Sequence, residues 1–396
     1  MKTVSPATMP GRPPFDFTTA GRIVFGWDRL QELPKLAAGF GSRVLLVCGS
    51  KPKRIQPCLQ ILEQNHCRVE CFQVLNEPSI DTIEAGSRKA REGFDWVLGM
   101  GGGSVLDAAK AIAIMTRQSG EVMDYLKVIG HGKPFQSPGL PMVAVPTTAG
   151  TGSEVTRNAV LSSNEHKVKV SMRHPSMLPD MALVDPALTV SCPPTITAAT
   201  GLDALTQLIE PFLSCKSNPM TDAFCRQGIP LAAQSIRTVV EKPEDKQART
   251  DMALASLLGG LALANAGLGA VHGIAGPFGG MFPGAPHGAI CAALLPGSLE
   301  VNHRVIKDRH PDHACLQRFD ELARMINGEA HASFESMLNW VVETIVKLNI
   351  PGLGTYGFSN EHLPDLIQKS KNASSMKGNP IELTHNEIQT ILQKAV

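Results

Sequence analysis

The chain lacks a surplus of charge of either sign: 37 Lys and Arg face 36 Asp and Glu across 396 residues, leaving +1 at neutral pH. Without a field of one sign, neither nucleic acid nor an anionic membrane surface is an expected partner, which leaves a small molecule. Cys-x-x-Cys pairs are missing from the nine cysteines, and the nearest two, Cys67 and Cys71, have no second pair with which to build a zinc cluster. An odd number of thiols fits a reduced, cytosolic protein. The first residues, Met1 to Pro6, lack the apolar stretch and small-residue cleavage site of a secretory signal, so a cytoplasmic location is expected. Internal repeats and low-complexity tracts are lacking as well. The uncharged run from Met252 to Ala270 approaches the length of a bilayer span, about twenty residues. Gly259, Gly260, Asn265, Gly267 and Gly269 interrupt it, however, and it reads as a core helix of a soluble domain.

What is present is a chain with 43% hydrophobic residues, long enough for two domains at about 100 to 200 residues each. The first half alternates short apolar runs with helix-length segments. Strands are expected at Val44 to Cys48, Arg68 to Val74, Asp95 to Met100 and Met142 to Val145, with helices at Ile55 to Gln64 and Thr82 to Glu92 between them. That alternation predicts a parallel sheet covered by helices. Val160 to Met172 reads as a hairpin turning at Ser162-Ser163-Asn164-Glu165. After Val190 the pattern becomes helical to the end, so the expected division is an α/β domain over 1–190 and an all-α domain over 191–396.

Gly101-Gly102-Gly103-Ser104 follows a strand and opens a helix that continues through Asp107 and Lys110. Glycines let the backbone approach a ligand closely, and a helix N-terminus directs unpaired N–H groups at it, an arrangement suited to a dinucleotide pyrophosphate. Ser104 and Asp107 could equally form a capping box. A second loop, Pro146 to Thr156, offers Thr147, Thr148, Thr151 and Ser153 at the end of the next strand, on the sheet edge where open α/β folds bind ligands. An acidic residue at the end of the first strand would bind adenosine ribose hydroxyls. Here Gly49-Ser50-Lys51 stands instead, which allows NADP and favours it over NAD.

In the second half, Asp203 and Gln207 are four residues apart and would share one helix face. His272 and His287 could converge on them to form an N/O cage suited to a divalent cation, with Gln207 a weak neutral donor. Thr200-x-x-Asp203 also reads as a helix start, and a lone histidine is ordinarily a satisfied core residue.

Taken in order, these segments resemble the iron-containing (group III) alcohol dehydrogenase family along nearly the whole chain. The resemblance is carried by Gly101-Gly102-Gly103-Ser104 with Asp107 and Lys110, and by Pro146-Thr147-Thr148 with Gly150 to Glu154. It continues through Val184-Asp185-Pro186, Gly201-Leu202-Asp203-Ala204, Asn218-Pro219, Pro286-His287-Gly288 and Asn379-Pro380. It implies a Rossmann-like NAD(P) domain and a helical domain in the dehydroquinate synthase-like arrangement, with a divalent metal, Fe²⁺ or Zn²⁺, in the cleft between them. By position Asp203, His272 and His287 match metal ligands. Gln207 stands where a third histidine is usual, and Gly276 where many members carry another histidine. The implied activity is metal-dependent hydride transfer between the nicotinamide and a small alcohol or aldehyde, in a homodimer or larger assembly. Maleylacetate reductase, a dehydroquinate synthase-like lyase and a nucleotide-binding member without turnover share the architecture as alternatives.

Overall fold

A computed structural model describes residues 14–163, 165–166 and 168–396. Its strands are β1 (Ile23–Phe25), β2 (Arg43–Cys48), β3 (Arg68–Gln73), β4 (Trp96–Gly101), β5 (Met142–Pro146), β6 (Asn158–Ser163), β7 (Val168–Arg173) and β8 (Met181–Val184). Six of them form one parallel sheet in the order β1-β8-β5-β4-β2-β3. Residues Val44 to Cys48 and Val97 to Leu98 are wholly buried, because helices cover both faces and leave no side to alternate polar residues on. β1 and β8, at three and four residues, are too short to announce themselves by pattern. β6 and β7 pair antiparallel as the expected hairpin; Asn164, assigned to its turn, lies outside the described residues.

From β2 the chain passes through the helix Pro52–Gln64 to β3 on one side, whereas β4 and β5 lie on the other. Strand order therefore reverses between β2 and β4. This is where an open parallel sheet leaves a crevice beyond its carboxyl ends, here at Cys48 and Gly101.

Helical structure takes over at Pro194. The helices Pro194–Leu213, Pro219–Glu241, Lys246–Ala266, Ala270–Met281 and His287–Arg309 pack Leu205, Leu208, Ile229, Ile236, Leu258 and Leu294 into one core. Asp203 does not open its helix as the Thr200-x-x-Asp203 pattern suggested. Pro194 at the first turn fixes φ for an earlier start, and Thr200 instead donates its hydroxyl to the Ile196 carbonyl at 2.9 Å. The uncharged run divides into two helices that meet at 96° across Gly267 to Gly269, and no single helix among the described residues is long and apolar enough to cross a membrane. Its interior is buried, as expected of a core element.

The glycines in that run have a packing role. Gly152, at φ +58°, sits against Gly260 so closely that a Cβ on it would lie 2.4 Å from the Gly260 Cα, and a Cβ on Gly260 would lie 2.5 Å from the Gly152 carbonyl oxygen. The α/β half and the helical half thus touch backbone to backbone.

Candidate active site

The sheet edge and the helical half enclose a cleft of about 2200 Å³. The candidate cofactor and metal residues read from the sequence line it: Gly49 and Ser50 after β2; Gly101, Gly102, Gly103, Ser104 and Asp107 after β4; Thr147, Thr148, Thr151 and Ser153 after β5; and Asp203, Gln207, His272 and His287 from the helical half.

The glycine loop is packed from both sides. A Cβ at Gly101 would meet Val105 at 2.6 Å, and one at Gly103 would meet the Thr151 side chain at 2.7 Å. The helix Gly103–Met115 takes Gly102 as its N-cap and has no side-chain cap. The capping box proposed for Ser104 and Asp107 is therefore not formed, and the first N–H groups remain free for a ligand. Asp107 is drawn elsewhere. Its carboxylate accepts the Ser153 hydroxyl at 2.5 Å and the Val160 N–H at 2.8 Å. Lys110, fully buried, lies 3.1 Å from the same carboxylate and donates to the Ser153 carbonyl (3.0 Å), the Thr156 hydroxyl (2.9 Å) and the Asn158 carbonyl (2.5 Å). One turn of helix thus fastens the threonine loop through a buried, multiply satisfied ion pair.

In the helical half, Asp203, Gln207 and Glu210 occupy positions i, i+4 and i+7 of a helix that is otherwise apolar here but for Thr206, whose hydroxyl donates to the Leu202 carbonyl, and all three are buried. Glu210 went unrecognised in the sequence, although that spacing of three polar residues in a buried helix was its signal. Its Oε2 accepts from Nδ1 of His272 at 2.6 Å, and its Oε1 accepts from the Val271 N–H at 2.7 Å. The Asn379 side chain accepts the Ala270 N–H at 3.0 Å, so a carboxylate and an amide together cap the helix carrying His272. Because Nδ1 is the donor to Glu210, Nε2 faces inward, 3.3 Å from Oδ1 of Asp203, and has a lone pair to offer whenever the ring is neutral. Nε2 of His287 lies 3.9 Å from the same oxygen.

Two acceptors here lack partners. Oδ1 of Asp203 and Oε1 of Gln207 are buried without a hydrogen bond, whereas Oδ2 of Asp203 accepts from the Gln207 amide at 2.8 Å. A buried, unpartnered carboxylate oxygen facing two imidazole nitrogens is costly unless a cation satisfies it, so the residues fit a metal ion. Burial works against ionisation of Asp203, but His272 and His287 outweigh it and hold the carboxyl below its ordinary value. Burial likewise opposes the charged form of His272, but Cys291, Glu210 and Asp203 together raise it well above its ordinary value. The cluster thus favours positive charge, which a proton on His272 supplies until a metal ion displaces it. Cys291, which no sequence motif marked, is the fourth member of the cluster: its sulfur and the donor atoms of Asp203, His272 and His287 all lie within 4.8 Å of one another. Gly276, one turn beyond His272, lines the cleft, and a Cβ built there would meet nothing within 4 Å.

Comparison with known proteins agrees with this geometry. Residues 20–186 match the family of iron-containing alcohol dehydrogenases, and residues 197–396 match the C-terminal part of the Fe-containing alcohol dehydrogenase family. Long-chain-alcohol dehydrogenase 1 of Geobacillus thermodenitrificans is 35% identical over 399 aligned residues, covering 95% of this chain and 97% of its own. The 1,3-propanediol dehydrogenase of Klebsiella pneumoniae is 35% identical over 77% of each chain. Among solved structures, a 1,3-propanediol oxidoreductase superposes with a TM-score of 0.88 at 31% identity, covering 97% of this chain and 100% of that one. The sulfoacetaldehyde reductase of Bifidobacterium kashiwanohense, in complex with NAD⁺, superposes with a TM-score of 0.83 at 29% identity, over 97% and 99%. A two-part cleft with a free helix N-terminus on one wall and a buried cation-seeking cluster on the other, within these likenesses, places the chain in the iron-containing alcohol dehydrogenase family.

Proposed function

We propose that the protein is an NAD(P)-linked alcohol dehydrogenase or aldehyde reductase whose hydride transfer takes place where the two walls of this cleft meet. One observation carries the reading: the uncapped Gly102-Gly103-Ser104 helix start and the Asp203, His272 and His287 cluster open into the same cleft. When bound, a divalent cation would supply Lewis acidity to an alcohol or carbonyl oxygen, and a nicotinamide would accept or deliver the hydride.

The chain's own residues set up that chemistry. The N–H groups of Gly103 and Ser104 and the helix dipole would receive the pyrophosphate, while Thr147, Thr148 and Thr151 line the same cleft, where the remainder of the cofactor would lie. Asp203 contributes negative charge and His272 a neutral nitrogen whose tautomer Glu210 fixes. Gly49 and Ser50, followed by exposed Lys51, present no carboxylate to repel a 2′-phosphate, which supports NADP over NAD. With glycine at 276, the space beside the cluster is free for substrate or water, and that position offers no side chain to carry the alcohol proton.

Turnover of small aldehydes with NADPH and NADH, measured beside the metal content of the purified protein, tests the reading. His272→Ala should abolish metal-dependent turnover and leave nucleotide affinity intact. Equal activity in that variant would remove the cluster from the mechanism.

A further inference from the structure

The cluster has one more donor than the sequence motifs supply, and its identity changes the chemistry. Cys291 follows His287 by one helical turn on the helix His287–Arg309, so both project from one face. Its sulfur is buried 3.6 Å from Nε2 of His287 and 3.7 Å from Nε2 of His272. A tetrahedral zinc ion with bonds of about 2.0 to 2.1 Å to nitrogen and about 2.3 Å to sulfur requires nitrogen-to-sulfur edges of about 3.6 Å. The oxygen-to-nitrogen edge of such a site is about 3.3 Å; Oδ1 of Asp203 stands 3.3 Å from Nε2 of His272 and 3.9 Å from Nε2 of His287, which must close by a few tenths of an ångström on an ion.

Gln207, the other contender for the fourth position, has a buried and unpartnered Oε1, but a neutral amide oxygen is a weaker donor to a divalent cation than a thiolate. A carboxylate only accepts, so the side of the Gln207 amide that faces Oδ2 of Asp203 at 2.8 Å must be its NH₂. The amide thereby orients Asp203 and leaves only a neutral oxygen to offer.

We propose that Cys291 is the fourth ligand of a divalent metal centre completed by Asp203, His272 and His287, and that Gln207 is a positioning residue. This rests on the reading of those three residues as ligands. The donor set is then two imidazoles, one carboxylate and one thiolate. Thiolate is a soft donor that suits zinc, and it replaces a hard or neutral fourth donor that would suit iron as well. The centre of this chain is therefore tuned to Zn²⁺ within a family named for iron. Its two anionic ligands would balance the charge of the ion.

Cobalt substitution tests this without recourse to activity. Full-length protein freed of metal by chelation and titrated with Co²⁺ should bind one equivalent. It should then show a near-ultraviolet thiolate-to-cobalt charge-transfer band, which disappears in Cys291→Ser and Cys291→Ala and persists in Gln207→Leu. Zinc affinity in Cys291→Ser should fall by more than the roughly 10- to 100-fold that loss of an outer partner of a ligand costs. Cobalt bound at one equivalent without the band, or a band that survives both cysteine variants, overturns the assignment of Cys291 and leaves the metal centre standing. Failure to bind cobalt at all in wild-type protein overturns the centre itself. Circular dichroism and thermal unfolding of each variant separate loss of a ligand from loss of fold.

Discussion

Nδ1 of His272 donates to Oε2 of Glu210 at 2.6 Å, and the other oxygen of that carboxylate caps the helix His272 stands on by accepting the Val271 N–H at 2.7 Å. One side chain thus fixes both the orientation of the ring and the helix that carries it. Glu210→Gln removes the charge that favours Nδ1–H and frees the imidazole to place its proton on Nε2, inside the cage. Zinc affinity, measured by competition with a chromophoric chelator, should fall roughly 10- to 100-fold. Unchanged affinity would show that Glu210 supports only the helix.

Asp107 lines the cleft yet spends its carboxylate on Ser153, Val160 and Lys110. Asp107→Ala strips the buried Lys110 ammonium of its countercharge, a change that typically costs about 3 to 5 kcal/mol. The melting temperature of nucleotide-free protein should therefore drop. If only nucleotide affinity falls, the residue is a ligand contact and the fastening role is wrong.

A Cβ at Gly49 would approach only Val105, at 3.9 Å, so a side chain fits there without strain. Gly49→Asp installs the carboxylate that a 2′-phosphate avoids. The ratio of NADPH to NADH affinity should decline on the order of tenfold, or about 1.4 kcal/mol. A ratio that stays constant would place the adenosine ribose away from the end of β2.

Burial raises the Glu154 carboxyl from 4.5 to about 7, against the opposing pull of a backbone N–H and of Lys110. The folded state thus holds this proton more tightly than the unfolded chain. The stabilisation is full below about pH 4.5 and is lost as pH rises through about 7, up to roughly 3 kcal/mol. Glu154→Gln cannot ionise, so its stability should decline less than that of wild type between pH 5 and pH 8 in urea titrations. Parallel pH profiles would mean that Glu154 is ionised throughout.

How much of this was legible depended on length and on register. The strands β2, β4 and β5 announce themselves because four to six consecutive apolar residues buried on both faces leave few other options; β3, at the sheet edge, is mostly exposed and lacks such a run, and β1 and β8 fall below that length and are held by their neighbours. The cleft could be read because its walls are made of contiguous motifs at chain positions where glycine and threonine cluster. Asp203, His272 and His287 were recoverable as types, but their convergence depends on three helices whose packing no local pattern encodes. Cys291 was invisible for the same reason: one cysteine four residues beyond a histidine carries no signal until the helix Ala270–Met281 brings His272 within 3.7 Å of it. Capping patterns misled twice, at Ser104 and at Thr200, because Gly102 and Pro194 set the helix starts by backbone geometry before any side chain could compete.

The meeting of Gly152 with Gly260 constrains how this lineage can drift. The commonest small step from glycine adds a methyl group, and at either position that carbon would be driven into the main chain of the other, so neither site can mutate first and wait for its counterpart to adjust. Substrate preference is free to diversify at open places such as residue 276, while the seam between the two halves stays frozen.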